Sequence, residues 1–258
     1  VLLNGNQTAL MFVYYLITRW KELGKINGKE YIVKTIVTTE TIKTIAERNG
    51  VEMYDVYTGF KWIANVMREN EGKKNYIGGG EESYGFLCED FVRDKDAVSA
   101  CVILAEIAAW AKDQGLSLYQ LLQKIYVEYG FSKEKGISVV KKGKSGAEEI
   151  EAMMKKFREN PLTEIAGSKV TYFYDYSTLK GKDYAENETV TLDMPTTSNV
   201  LQYFTEDNTK VSIRPSGTEP KIKFYCEVHS KVKSIDELPE AEKAAEEKIN
   251  QIKASLGI

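Results

Sequence analysis

Apolar positions in the first half of the chain alternate between helical and strand spacing. Asn6 is a capping residue type, and Gln7–Leu23 is largely apolar and stops at Gly24, which predicts a helix. Tyr31–Val37 is rich in β-branched residues and predicts a strand. Thr39–Arg48 predicts a helix ended by Asn49-Gly50, and Glu52–Val56 a second strand. Thr58 is placed to cap a helix through Asn70 with Trp62, Ile63, Val66 and Met67 on one face. Asn75–Gly79 predicts a third strand running into a glycine-rich loop. Asp96 is placed to cap Ala97–Lys112, a helix apolar almost all round and therefore expected to be buried. Ser117 and Gln120 have the spacing of a capping box for Leu118–Tyr129. Helices alternating with strands over residues 1–130 predict an α/β layered domain.

The pattern changes after Gly130. Residues 132–146 carry Lys133, Lys135, Lys141, Lys142 and Lys144 with few apolar anchors, and predict a solvated, hinge-like connector. Ala147–Arg158 is amphipathic, with Ile150, Met153, Met154 and Phe157 inward, and stops at Asn160-Pro161. Lys169–Tyr176, Asn199–Thr205, Lys210–Arg214 and Lys221–His229 predict strands. Ile235–Leu256 predicts a helix with Ala241, Ala244, Ala245, Ile249 and Ile252 on its inner face. Strands between two helices indicate an α+β domain with an antiparallel sheet. The expected fold is a mixed-sheet α/β/α layered domain over 1–135. A linker and a smaller α+β domain, with an antiparallel sheet and flanking helices, follow over 136–258.

A chain of 258 residues suffices for two domains. Its formal net charge of −3 gives no bulk attraction to nucleic acid or to anionic membranes, so any anion site must be local. Cys88, Cys101 and Cys226 are odd in number and lie in apolar stretches, which reads as reduced core thiols of a cytoplasmic protein. Ala9–Trp20 is too short to span a bilayer. His229, the single histidine, excludes a multi-histidine metal site and reads as a structural or surface residue. The chain starts at Val1 on what resembles a strand end, which suggests a fragment of something longer.

Two segments carry chemistry. Arg214-Pro215-Ser216-Gly217-Thr218-Glu219-Pro220 lies between two strand-like runs. Arginine offers a planar charged fork, Ser216 and Thr218 offer hydroxyls, and Gly217 lets backbone N–H groups approach an anion. The same residues also favour a plain hairpin turn; Lys221 and Lys223 add to the anion reading. The second segment is Gly78-Gly79-Gly80-Glu81-Glu82-Ser83-Tyr84-Gly85-Phe86. Carboxylates suit sugar hydroxyls, and in an extended Glu81-Glu82-Ser83 the side chains of Glu81 and Ser83 would share one side. A β-turn with exposed acids fits equally well. Lys61, after Thr58-Gly59-Phe60, and Lys95, within Arg93-Asp94-Lys95-Asp96, stand at helix starts where a cation opposes the helix dipole.

Gly80-Glu81-Glu82-Ser83 resembles the sugar-binding loop of the α-D-phosphohexomutases, and Arg214-Pro-Ser-Gly-Thr-Glu-Pro resembles their phosphate-binding loop. Thr58-Gly59-Phe60-Lys61 and Arg93-Asp94-Lys95-Asp96 match the phosphoglucomutase and phosphomannomutase branch, in the right order over nearly the whole chain. The resemblance implies the third and fourth of four domains. The phosphorylated serine and the Asp-x-Asp-x-Asp loop for Mg²⁺ would then lie outside this chain, which has neither motif and offers no catalytic or metal residue of its own. It implies phosphate binding by Arg214, Ser216, Gly217, Thr218 and Lys223, and sugar binding by Gly59, Lys61, Glu81, Ser83 and Lys95. It also implies transfer between hexose O1 and O6 through a bisphosphorylated sugar such as glucose 1,6-bisphosphate. The fragment alone would be inactive, and its partners would be the phosphosugar and the missing N-terminal domains. Many relatives have His where this chain has Phe60. A stand-alone phosphosugar-binding module is the alternative.

Overall fold

The computed structural model describes residues 2–141, 143–217 and 219–258; Lys142 and Thr218, both singled out above, lie outside them. The chain forms two compact units, one reaching to Phe131 and including Lys231–Leu238, the other comprising Ser132–Ser230 with Pro239–Ile258.

The first unit contains α1 (Gly5–Glu22), β1 (Glu30–Thr35), α2 (Thr41–Arg48), β2 (Glu52–Val56), α3 (Phe60–Asn70), β3 (Asn75–Gly80), β4 (Phe86–Cys88), α4 (Ala97–Asp113) and α5 (Leu118–Tyr129). The sheet order is β2-β1-β3-β4, with β1 parallel to β2 and β3, and β4 antiparallel at the edge. Tyr31 and Val33 of β1 pack with Phe60, Ile63 and Met67 of α3 in one buried cluster. Ile32, pointing the other way along the strand, is also fully buried. A strand buried on both faces between helix layers is what a largely parallel sheet requires. Lys34 of β1 is 1% exposed and is held by Asp55 at 2.7 Å and Glu40 at 2.9 Å.

Several local details differ from the sequence expectation. The cap of α1 is Asn4, not Asn6. Asn4 accepts from the Gln7 N–H at 2.9 Å, and Gln7 accepts from the Asn4 N–H at 3.0 Å, so the Gln at the third position selects the cap. Asn6 sits buried in the first turn and accepts from the Thr39 N–H. Thr58 does not cap α3; Gly59 stands at its N-cap with no side-chain hydrogen bond. Helix α4, expected to be buried, is buried only at Ile107 and Ala111, and Cys101 on it is exposed rather than a core thiol. The helix packs through one face; on its other face Val98 and Val102 are exposed. The caps at Asp96 and Ser117 form as the spacing predicts.

The second unit contains β5 (Phe131–Val140), α6 (Gly143–Glu159), β6 (Glu164–Ile165), β7 (Ser168–Asp175), β8 (Lys180–Asp183), β9 (Glu188–Thr191), β10 (Leu201–Thr205), β11 (Lys210–Pro215), β12 (Lys221–Ser230) and α7 (Leu238–Leu256); the 3₁₀ turn at Ile235–Glu237 between β12 and α7 falls in the segment counted with the first unit. Its antiparallel sheet runs β5-β12-β11-β10-β7-β8-β9, with β6 paired to β7. Residues 132–140 are therefore strand, not connector. Lysines suit an edge strand, and here Lys133 pairs with Glu242 and Glu246 of α7, at 3.1 and 3.3 Å, and Lys135 with Glu246 at 3.6 Å. Lys144 falls within α6. Ile150, Met154 and Phe157 of α6 and Ala245, Ile249 and Ile252 of α7 are buried; Ala244, expected on the inner face, is exposed. Together the two units make the mixed α/β layer and the antiparallel α+β domain expected of this sequence.

Candidate functional site

In the first unit Glu81 follows β3, and its backbone N–H donates to the Gly85 carbonyl at 2.7 Å, closing the loop between β3 and β4. The loop is a turn at Glu82-Ser83, with Tyr84 at φ +71°, rather than extended chain. The alternation argument for Glu81 and Ser83 therefore does not apply. Glu81 instead reaches sideways: its Oε1 accepts from the Gly59 N–H at 3.0 Å. Gly59 has φ +111°, a conformation open mainly to glycine, and this turns its N–H toward the carboxylate at the start of α3. Glu82 anchors the loop from behind by accepting from the Thr35 hydroxyl at 3.3 Å, and the Tyr84 hydroxyl donates to the Leu3 carbonyl at 2.9 Å.

The structure brings Gly59, Phe60, Glu81, Gly85 and Lys95 together. A Cβ on Gly85 would lie 2.6 Å from Glu81 Oε2 and 3.0 Å from Lys95 Cδ, so both side chains flank this glycine. The Lys95 ammonium lies 5.7 Å from the Phe60 ring centroid and 3.2 Å from Asp94. The backbone N–H and ammonium of Lys95 hold the Asp94 carboxyl below the usual range, and the Ser99 hydroxyl and N–H do the same for Asp96. Ser83 is exposed at the turn. Lys61 goes elsewhere: its ammonium lies over Trp62, 4.9 Å from the ring centroid, and it lines a separate 570 Å³ hollow with Arg68, Asp90, Phe91 and Arg93. Gly85 stood within the quoted motif, but only the structure shows that its missing side chain makes room for Glu81.

In the second unit Arg214 and Pro215 end β11, and Ser216 opens the connection to β12, so a hairpin and a candidate anion cradle coincide. The Ser216 N–H donates to the Lys221 carbonyl at 2.7 Å, and the Lys141 N–H to the Pro220 carbonyl at 2.9 Å. Arg214 stands directly opposite Lys223 in the β11–β12 ladder. Their neighbours Ile213 and Phe224 are fully buried on the other sheet face, where Phe224 meets Phe157 of α6. Arg214 and Lys223 thus share one half-buried face, and neither forms an ion pair among the described residues. Like charges directly opposite across a ladder repel, and an anion between them would relieve that repulsion. On the α6 side, Pro215, Ser216, Gly217 and Glu219 line a 760 Å³ groove with Lys155, Arg158 and Asn199. Arg158 is fixed there by Asp175 at 2.9 Å and Asn199 at 2.8 Å.

Two family models match the chain. The phosphoglucomutase/phosphomannomutase alpha/beta/alpha domain III matches residues 4–129, and the phosphoglucomutase/phosphomannomutase C-terminal domain matches residues 138–245. The chain belongs to the phosphoglucomutase/phosphomannomutase family. A phosphoglucomutase of Staphylococcus aureus (strain bovine RF122 / ET3-1) is 38% identical over 222 residues, covering 86% of this chain and 39% of that protein. One from Staphylococcus haemolyticus is 34% identical over 226 residues, covering 88% and 40%. The chain thus spans about two fifths of the length of these curated relatives. Among solved structures, the phosphoglucomutase parafusin of Paramecium, in its open form, aligns with a TM-score of 0.58 at 17% identity, over all of this chain and 43% of its own. A phosphomannomutase from Thermus thermophilus aligns with a TM-score of 0.56 at 18% identity, over 94% and 41%. These two likenesses concern the fold.

The family implies Mg²⁺. Among the described residues no three carboxylate, imidazole or thiol side chains converge to hold a metal ion. The described residues therefore offer no site for that ion. Among the described residues no helix is long and apolar enough to cross a membrane.

Proposed function

We propose that this chain is the sugar- and phosphate-recognition part of a phosphohexomutase that interconverts hexose 1-phosphate and hexose 6-phosphate. The observation that carries the reading is the Arg214–Lys223 pair, two cations opposed across a ladder with no ion-pair partner among the described residues, next to the Ser216-Gly217 turn. Arg214 and Lys223 would neutralise the non-reacting phosphate, with the Ser216 and Thr218 hydroxyls and the Gly217 N–H as further donors. Arginine suits this place because its fork meets two phosphate oxygens at once.

In the first unit Glu81 is the sugar-binding group. A carboxylate repels phosphate and accepts from hydroxyls, and the Gly59 N–H holds one of its oxygens while the other faces Gly85 and Lys95. Ser83 lies on that loop, Gly59 holds Glu81 from the start of α3, and Lys95 steadies the charged end of the sugar, while Lys61, turned to Trp62, takes no part. Phosphoryl transfer requires alignment and charge neutralisation more than covalent chemistry from the protein. Binding and orientation are what these residues supply. The phosphoryl donor, a phosphoserine, would come from the part of the longer protein outside this match, with glucose 1,6-bisphosphate as the intermediate form of the substrate. The enzyme belongs with the isomerases of carbohydrate metabolism, and the cytoplasm is its proposed location.

A coupled assay tests the reading. With glucose 1-phosphate, glucose 1,6-bisphosphate and Mg²⁺, the longer protein should form glucose 6-phosphate and this chain alone should not. Sustained turnover by this chain would show that it carries its own phosphoryl donor. A longer protein that is silent toward glucose and mannose phosphates alike would refute the mutase reading.

A further inference from the structure

Helix α4 has two apolar faces, and the first unit uses one. Ile107 and Ala111 are buried, while Val98 is 74% and Val102 61% exposed. Cys101, Ala105 and Ala109 are exposed as well. At the helical rotation of 100° per residue these five positions fall within an arc of about 100°, with Ile107 directly opposite its edge-to-edge centre. From Val98 to Ala109 no charged side chain falls in the arc; Lys112 enters it only in the last turn of the helix, beyond Ala109. Glu106, at its border, is taken up by the Tyr15 hydroxyl at 2.6 Å. Helix propensity gives no reason for valine at 98 and 102, since β-branched side chains lose rotamer freedom in a helix. A helix apolar on both sides is ordinarily covered on both sides.

What would cover it is indicated by the length of the relatives. The chain spans 39% of the Staphylococcus aureus protein, so more than half of that protein lies outside the match. The matched models are a third domain and a C-terminal domain, which puts the unmatched part on the N-terminal side. We infer that the Val98–Cys101–Val102–Ala105–Ala109 face of α4 is an interdomain surface, covered by the polypeptide that precedes this segment in the longer protein. The inference rests on family membership and not on the proposed activity. An apolar, uncharged stripe suits a permanent contact within one polypeptide better than a transient partner, whose surface would be more polar.

Cys101 lies within the stripe and makes it readable. Cys88 and Cys226 are buried, and burial pushes both thiols up to about 12, so a maleimide should report on Cys101. The experiment compares the rate of maleimide modification of Cys101, followed by peptide mass spectrometry, in this chain and in the longer protein. Modification should be at least tenfold slower in the longer protein. Val102→Asp should leave the melting of this chain unchanged, and in the longer protein should restore fast modification. Equal rates in the two proteins would overturn the inference. So would a gene with no coding sequence upstream. So would sedimentation showing that this chain is a dimer which Val102→Asp dissociates, because the occupant would then be a second copy.

Discussion

Replacing Glu227 by Gln should destabilise the second unit severely, and more so at acidic pH. Glu227 of β12 stands opposite Lys210 of β11, and the two side chains are 3% and 2% exposed with 3.0 Å between charged atoms. The same carboxylate holds His229 Nε2 at 2.7 Å. Gln keeps the shape and removes the charge, so the buried Lys210 ammonium loses the Glu227 carboxylate that pairs with it. Breaking a buried pair in this way costs about 3–5 kcal/mol, against a total stability of about 5–15 kcal/mol for a domain. At about 4 °C per kcal/mol for a unit of this size, the melting point should fall by roughly 12–20 °C. The pH dependence follows from His229. Burial opposes its charged form, but the carboxylates of Glu227 and Glu134 outweigh burial and the repulsion of Lys210, and its pKa lies above the usual value. A raised folded pKa gives stability that is complete below the unfolded value of about 6.5 and is lost as pH rises through the folded one. Without Glu227 that contribution disappears, so the gap between wild type and variant should be wider at pH 6 than at pH 9. Urea unfolding followed by circular dichroism measures it. Trp20, Trp62 and Trp110 all lie in the first unit and give an internal control by fluorescence. A loss below about 1 kcal/mol at pH 9, or a gap that narrows toward pH 6, would refute the reasoning.

Other outcomes follow from the first unit. Glu81→Gln in the longer enzyme removes a charged acceptor, a loss of about 1.5–3 kcal/mol, so kcat/KM should drop by about ten- to a hundredfold while the melting point stays within a few degrees; normal kinetics would argue for a purely structural Glu81. Gly85→Ala should push the Glu81 carboxylate and the Lys95 side chain aside, because its Cβ would lie 2.6 Å from Glu81 Oε2. It should reproduce part of the Glu81→Gln defect in steady-state kinetics, and an unchanged kcat/KM would place the sugar contact elsewhere.

Much of this was legible in the residues, and the exceptions have physical causes. The Ser117–Gln120 box and the Asp96 cap were readable because capping is a local hydrogen-bond pattern with fixed spacing. The choice between Asn4 and Asn6 turned on which of them has a Gln three residues on. The lysines at 133 and 135 read as solvated because their partners, Glu242 and Glu246, are more than a hundred residues away. The hairpin β8–β9 escaped notice because its positions are mostly exposed and polar, so the strand pattern has no apolar side to show. The apolar content of α4 was plain, but burial depends on what stands opposite. At the candidate site, the motifs pointed to Glu81 and Arg214. Only the fold shows that Glu81 is gripped by Gly59, that Lys61 turns away to Trp62, and that Lys223 lies across from Arg214.

The most direct test of the recognition role is a calorimetric titration of this chain with glucose 1-phosphate, set beside Arg214→Ala. Loss of one charge-assisted contact costs about 1.5–3 kcal/mol, so the variant should bind at least about tenfold more weakly. Glucose without phosphate should compete poorly. Unchanged affinity in Arg214→Ala, or equal competition by glucose and glucose 1-phosphate, would contradict the assignment of the 214–223 hairpin to the phosphate.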